Sequence, residues 1–138
     1  MVKRVDQTFK VIISEIDLIV IDNVKRLRNE RNLSQVRLSN MIDESSSGFI
    51  GKVEILTEKV TYNTSHIVRI ARVLGCKMTD LIPEDPPEND YLEITLHRTN
   101  LRKKDGTLSN STVTKRTQIR PLTLLEIEEY RRRRGRKK

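Results

Sequence analysis

Apolar positions follow two periodicities along this chain. Val5, Phe9, Val11 and Ile13 fall on alternate positions, as in a strand, whereas Ile16, Val20, Val24 and Leu27 recur at helical spacing. The spacing predicts a first helix from about Glu15 to Arg31. Ile12, Ile13, Ile16, Leu18, Ile19, Val20 and Ile21 crowd its start beyond what one helix face needs. The surplus is either a larger local core or an apolar surface for a second chain or the C-terminal segment. Ser34 then offers a hydroxyl to the free N–H groups of a second helix, Gln35 to Met41, built around Leu38. The Asp, Ser and Gly residues of 42–48 compete with helix through side-chain-to-backbone bonding and mark a turn. Phe49, Ile50 and Val53 restore helical spacing, placing a third helix from about Ser47 to Ile55. A fourth, capped by Asn63 or Thr64, buries Ile67, Ile70, Ala71 and Leu74 and stops at Gly75.

The pattern changes after residue 83. Pro83 to Asp90 is acidic and Pro-rich and reads as a domain-ending linker over 84–90. Tyr91 to His97 alternates as a strand, and Asp105-Gly106 is a turn signal, so a hairpin returning through about Thr112 to Ile119 competes with a mobile arm. Its Lys103, Lys104, Lys115 and Arg116 make it a basic ribbon. Thr123 and Glu126 have capping-box spacing, with Leu122 placed to staple onto Ile127, so a last helix is expected from about Leu124 to Arg134. Glu128–Arg132 and Glu129–Arg133 are spaced as ion pairs along it. The basic tail Arg131 to Lys138 is a solvated end or a holder of nucleic-acid phosphates.

Composition narrows this further. With 138 residues, 36% apolar content and no Trp, the core is modest. No apolar run reaches membrane-spanning length and the start lacks a secretory pattern, so a cytoplasmic protein without a membrane partner is expected. A lone Cys76 allows no internal disulfide. Lys and Arg number 13 against 10 acids in residues 1–83, 0 against 4 in 84–90 and 14 against 5 in 91–138, giving +3, −4 and +9. The positive field lies at the C-terminal end and favours a polyanionic partner of any sequence.

Taken in order, four features resemble the lambda-repressor and Cro-like, or XRE, family of helix-turn-helix domains. Val24-x-x-Leu27-Arg28 is similar to the end of that family's first helix, and Leu33-Ser34-Gln35-x-x-Leu38-Ser39 to its second, with Ser39 where Ala is usual. Ile50-x-x-Val53-Glu54 is similar to its recognition helix, while Ile67-x-x-Ile70-Ala71-x-x-Leu74-Gly75 and Thr79 to Ile82 resemble its fourth and fifth. The match covers roughly residues 20–83. The chain is one residue longer than the pattern in the Asp43 to Ser46 turn and slightly longer between Glu54 and Ile67, both in loops. Cys76 falls where the family carries a small apolar residue, which implies a buried thiol with no metal or redox role.

The resemblance implies a mainly α fold: a five-helix domain over 1–83, followed by a basic extension over 91–138. It implies a structural ion pair between Arg28 and Glu54. It also implies that Ser47, Gly48 and Lys52 face bases in the major groove, with Ser46 beside them among the DNA-binding residues, Lys52 being the best reader because an ammonium can donate to guanine O6 and N7. Phe49 either meets a thymine methyl or packs in the core. Gln35, Lys59, Asn63 and Thr64 would touch phosphates, and His66 is expected at the surface near the duplex. The expected function is a sequence-specific double-stranded DNA-binding transcriptional regulator of bacterial or phage type, acting as a homodimer. The alternative is an antitoxin or other protein-interaction module whose C-terminal extension holds a partner protein. Neither a nucleophile with its base, a phosphate-cradling Gly loop nor a metal-ligand spacing is present, so no enzyme, metal or cofactor is expected.

Overall fold

The computed structural model describes residues 2–42 and 44–136. The Asp43 part of the expected turn, and Lys137 and Lys138 of the basic tail, lie outside the described residues. Two compact units emerge, Ile13–Asp90 and a second formed by residues 1–12 with Tyr91–Lys138.

The first unit is helical. α1 (Glu15–Glu30) opens on Ser14, whose Oγ accepts from Asp17 N at 3.2 Å, with Glu15 and Asp17 in the first turn complementing the helix dipole. Leu18, Ile21, Val24 and Leu27 bury one stripe of it. α2 (Gln35–Met41) is capped by Ser34 Oγ, which accepts from Arg37 N. α3 (Phe49–Ile55), α4 (Thr64–Leu74) and the single turn α5 (Met78–Leu81) follow. Val24, Leu38, Ile42, Ile50, Val53, Ile70 and Leu81 are all but inaccessible, and each such side chain contributes roughly 1.5–3 kcal/mol of transfer free energy. Gly75 ends α4 at φ 64°, a left-handed position that a Cβ would strain.

The second unit overturns the expectation of a mainly α fold. β1 (Asp6–Ser14), β2 (Tyr91–Arg102) and β3 (Leu108–Pro121) form an antiparallel sheet in the order β1-β2-β3, so the chain is α+β. The physical reason is that the alternation at Val5 to Ile13 is a true strand. Its hydrogen-bonding partner is β2, some 80 residues away, and not the neighbouring helix. Residues 1–12 therefore group with 91–138 and not with the helices. Leu92, Ile94 and Leu96 are buried at period two, and Asn100 is buried with them. The Asn100 amide accepts from Val5 N and donates to the carbonyls of Lys3 and Ser109, joining all three segments. In the hairpin Ile94 faces Ile119 and Asn100 faces Thr112. Gly106 takes φ 85° in the turn, fulfilling the Asp-Gly signal.

α6 (Leu124–Arg136) starts on the expected capping box: Glu126 N donates to Thr123 Oγ1 and Thr123 N to Glu126 Oε1. Arg132 and Arg133 both reach Glu129, so Arg132 takes the acid three residues back and not Glu128. The acidic segment before the sheet is anchored to α1: Asn89 N donates to Glu15 Oε1 at 3.1 Å, and Glu15 N to Asp90 O. Among the described residues no helix is long and apolar enough to cross a membrane.

Candidate nucleic-acid interface

α3 is fixed against its neighbours by polar groups that are themselves buried. Arg28 Nε and Nη2 donate to the two oxygens of Glu54 at 2.9 and 2.8 Å, with side-chain exposures of 8% and 2%. Arg28 Nη1 donates to Leu33 O at 2.7 Å, so one guanidinium links α1, the start of α2 and the end of α3. Gln35 Nε2 adds a third donor to Glu54 at 2.9 Å. A Cβ on Gly51 would approach Gln35 Oε1 to 3.1 Å, so the absence of a side chain there lets α3 sit close to Gln35. Gln35 is exposed along α2, and its amide also bonds to Glu54, which makes it a joint between helices.

The start of α3 also differs from expectation. Ser46 Oγ accepts from Gly48 N at 3.3 Å, forming a turn, so Gly48 is the cap residue and the helix begins at Phe49, two residues later than Ser47. Gly48 has no side chain to satisfy the first N–H groups. The acceptor comes from α2: Ser39, fully buried, donates through Oγ to Gln35 O at 2.9 Å and accepts from Ile50 N at 3.1 Å. A helix N-terminus left buried without a partner is costly. Ser39 removes that cost here, and its only sequence signal was a hydroxyl at a position where the resembling family carries Ala.

A second clasp holds the segment between α2 and α3. His66 Nδ1 accepts from Asn63 N at 3.1 Å while Asn63 Oδ1 accepts from His66 N at 2.8 Å, a capping box with His at its third position. With Nδ1 accepting, the ring proton sits on Nε2, which donates to Glu44 Oε1 at 2.6 Å. Arg69 adds Nη1 to Ile42 O at 2.8 Å. Phe49 packs on the His66 ring at 4.5 Å and edge-on to Tyr62 at 6.0 Å, so its ring takes part in the packing. His66 is therefore part of the framework and not a free surface residue. Tyr62 is buried, its hydroxyl has no hydrogen-bond partner among the described residues, and burial, then the nearby Glu54, raises its pKa. Cys76 is half-buried; burial and then Asp80 push its thiol upward, away from thiolate character.

On the outer side, Ser46, Ser47, Gly48 and Lys52 are all exposed, as are Lys59, Asn63 and Thr64. Lys59 sits at φ 57° in the loop after α3. The Asn63 side chain is occupied as the α4 cap. Clasp and surface thus differ: Arg28, Glu54 and Ser39 are buried, Gln35, Glu44, His66 and Arg69 are tied to neighbouring elements, and Lys52 is exposed. Sequence inspection missed Ser39, Glu44, His66 and Arg69 as supports because each partner lies on another element. Among the described residues no group of three His, Cys, Asp or Glu side chains is placed to hold a metal ion.

No family model matches this chain, and no curated protein does. Three solved structures are similar in part: hydroxypropylphosphonic acid epoxidase from S. wedmorenis (14% identity, TM-score 0.46, covering 67% of this chain and 64% of that one), FeII HppE (15%, 0.42, 65% and 64%) and apo-HppE (10%, 0.43, 78% and 89%). The chain spans under two thirds of the first two. At these TM-scores the likenesses carry no argument about what this chain does.

Proposed function

We propose that residues 35–55 act as a helix-turn-helix and that the protein is a sequence-specific double-stranded DNA-binding transcriptional regulator of the lambda-repressor and Cro-like kind. The observation that carries this reading is the separation just described: α3 is locked on its inner side by a buried Arg28–Glu54–Gln35 network and by Ser39, while Lys52 and the Ser46 to Gly48 edge stay open. A recognition helix needs this combination, because base-edge contacts discriminate only when the helix that carries them is rigidly held. α3 offers a sparse code: Lys52 donates to guanine, Ser47 discriminates weakly and Gly48 offers no side chain. Much of the specificity then falls to DNA shape and to paired half-sites bound by a homodimer. Such a regulator works without a cofactor or catalysis, in the cytoplasm.

Selection of bound fragments from genomic DNA tests the proposal. Enrichment of a common two-fold-related sequence is expected, with Lys52→Ala lowering the preference for it over random duplex by about 1–3 kcal/mol, the worth of one good base contact. No enriched sequence with the intact protein overturns it. A second reading, an antitoxin-like module with a protein partner, is favoured by one observation: Leu124 and Leu125 at the start of α6 are 85% and 78% exposed.

A further inference from the structure

Positive charge in the sheet unit is segregated along the hairpin. At its base Arg120 donates to both oxygens of Glu126 at 2.8 and 2.6 Å and to Glu93 at 3.2 Å, and Lys10 lies 3.9 Å from Glu93. The distal half is different. From Arg98 to Arg116 there are six Lys and Arg residues and one acid, Asp105, and β3 contains no acid at all. Asp105 is folded into the turn, its carboxylate accepting from Thr107 N and Oγ1 at 2.9 and 2.6 Å, which holds its pKa down. Arg102 closes the same turn by donating to Gly106 O at 2.7 Å. Lys103, Lys104 and Lys115 are exposed, and among the described residues no carboxylate lies within ion-pair distance of them.

We propose that the distal β2–β3 hairpin, through Lys103, Lys104 and Lys115, is a phosphate-backbone contact for duplex nucleic acid. The inference rests on the reading above, that a duplex is the ligand, but concerns a different surface with a different task. Lys103 and Lys104 stand on a turn fixed by its own hydrogen bonds, and Lys115 is held further along β3 opposite His97 by strand pairing, so these unpartnered ammonium groups attract a polyanion without ordering a loose arm. Exposed Ser111 and Thr112 add neutral donors of the type that accompany phosphate contacts. A protein partner fits less well. Lysine is depleted at protein interfaces, whose centres need apolar anchors, and the tip offers only Leu101 as an exposed large apolar side chain. Because these groups touch phosphates and not base edges, the hairpin contributes affinity and salt dependence and does not select sequence.

The test measures affinity of the full chain for a random-sequence 30-base-pair duplex, and for a fragment recovered by genomic selection, across a salt series. Lys103→Gln, Lys104→Gln and Lys115→Gln together are expected to make the log–log salt slope shallower by about 2 to 3 and to weaken both duplexes equally, about tenfold at low salt. The matching Lys→Arg triple should restore the slope, and unchanged thermal melts would exclude misfolding. If the intact protein binds and the Gln triple leaves its slope unchanged, the hairpin proposal alone falls. If the Gln triple flattens the slope while Lys52→Ala leaves sequence preference untouched, the hairpin stands and the role of α3 falls. Failure of the intact protein to bind either duplex overturns both, as does lysine-dependent binding to anionic lipid vesicles in place of DNA.

Discussion

Arg28–Glu54 and Arg120–Glu126 are both bidentate pairs, and the contrast between them shows what burial does to the same chemistry. Arg28–Glu54 has almost no access to water, and Leu33 O and Gln35 Nε2 add to its hydrogen bonds. Arg120–Glu126 has equally short bonds, but each side chain is 37% exposed. Water screens the outer pair and competes for its hydrogen bonds, so its loss is readily compensated. Truncating one partner of the inner pair strands a charge where no water can reach it. The inner pair therefore acts as a structural joint, and the outer pair decorates a helix start.

The contrast can be broken or sharpened by substitution, the largest effect first. Glu54→Ala is expected to cost about 3–5 kcal/mol by leaving Arg28 buried and unpaired, a large part of the stability of a small domain. Denaturant unfolding measures it, and a cost no larger than that of Glu126→Ala would abolish the distinction. Ser39→Ala should cost about 1–2 kcal/mol in the same assay, since Ile50 N loses its buried acceptor as in the removal of a helix cap. Restoration by Ser39→Thr would show that the hydroxyl and not the volume matters. The smallest effect belongs to the outer pair and depends on pH. Glu126 is lowered from 4.5 to about 2, first by the Arg120 hydrogen bond and then by Thr123 N–H. A carboxylate depressed on folding contributes fully above pH 4.5 and loses that contribution as the pH falls toward 2. Glu126→Gln should thus lower the melting temperature slightly at pH 7 and leave it unchanged at pH 2; a constant difference at both would show that the charge is not responsible.

Much of the architecture was legible where the deciding contact is local. Ser34 three residues before Arg37, Asn63 before His66, Thr123 before Glu126 and Gly106 in its turn are signals that operate within four residues, and the elements they bound fall close to the expected positions. What could not be read depends on remote partners. Alternation at Val5 to Ile13 announces a strand but not that its neighbour starts at Tyr91, and so the share of sheet was underestimated. The third helix was expected to open at about Ser47, yet it begins at Phe49 and the hydroxyl that serves Ile50 is Ser39, eleven residues before it on α2. The bond of Gln35 to Glu54 could not be read because the two are nineteen residues apart. His66 found Glu44 across the same kind of gap. Of the outward surface, the exposure of Lys52 followed from its place opposite Ile50 and Val53.

The order β1-β2-β3 leaves one long side of β3 without a neighbouring strand in the sheet, and the main-chain donors and acceptors of alternate residues along its fourteen-residue length line it. Such a border is a template for stacking against another molecule of the same kind, and natural strands guard it with charge. Here Lys115 is such a guard and works by repulsion between copies, whereas Arg120 is engaged locally by Glu126 and Glu93. Repulsion of this sort fades within a few ångströms at molar ionic strength. Concentrated salt should therefore drive the chains together even as it strips them from a polyanion, and light scattering that stays flat up to 1 M salt would show that the border is shielded by something other than charge.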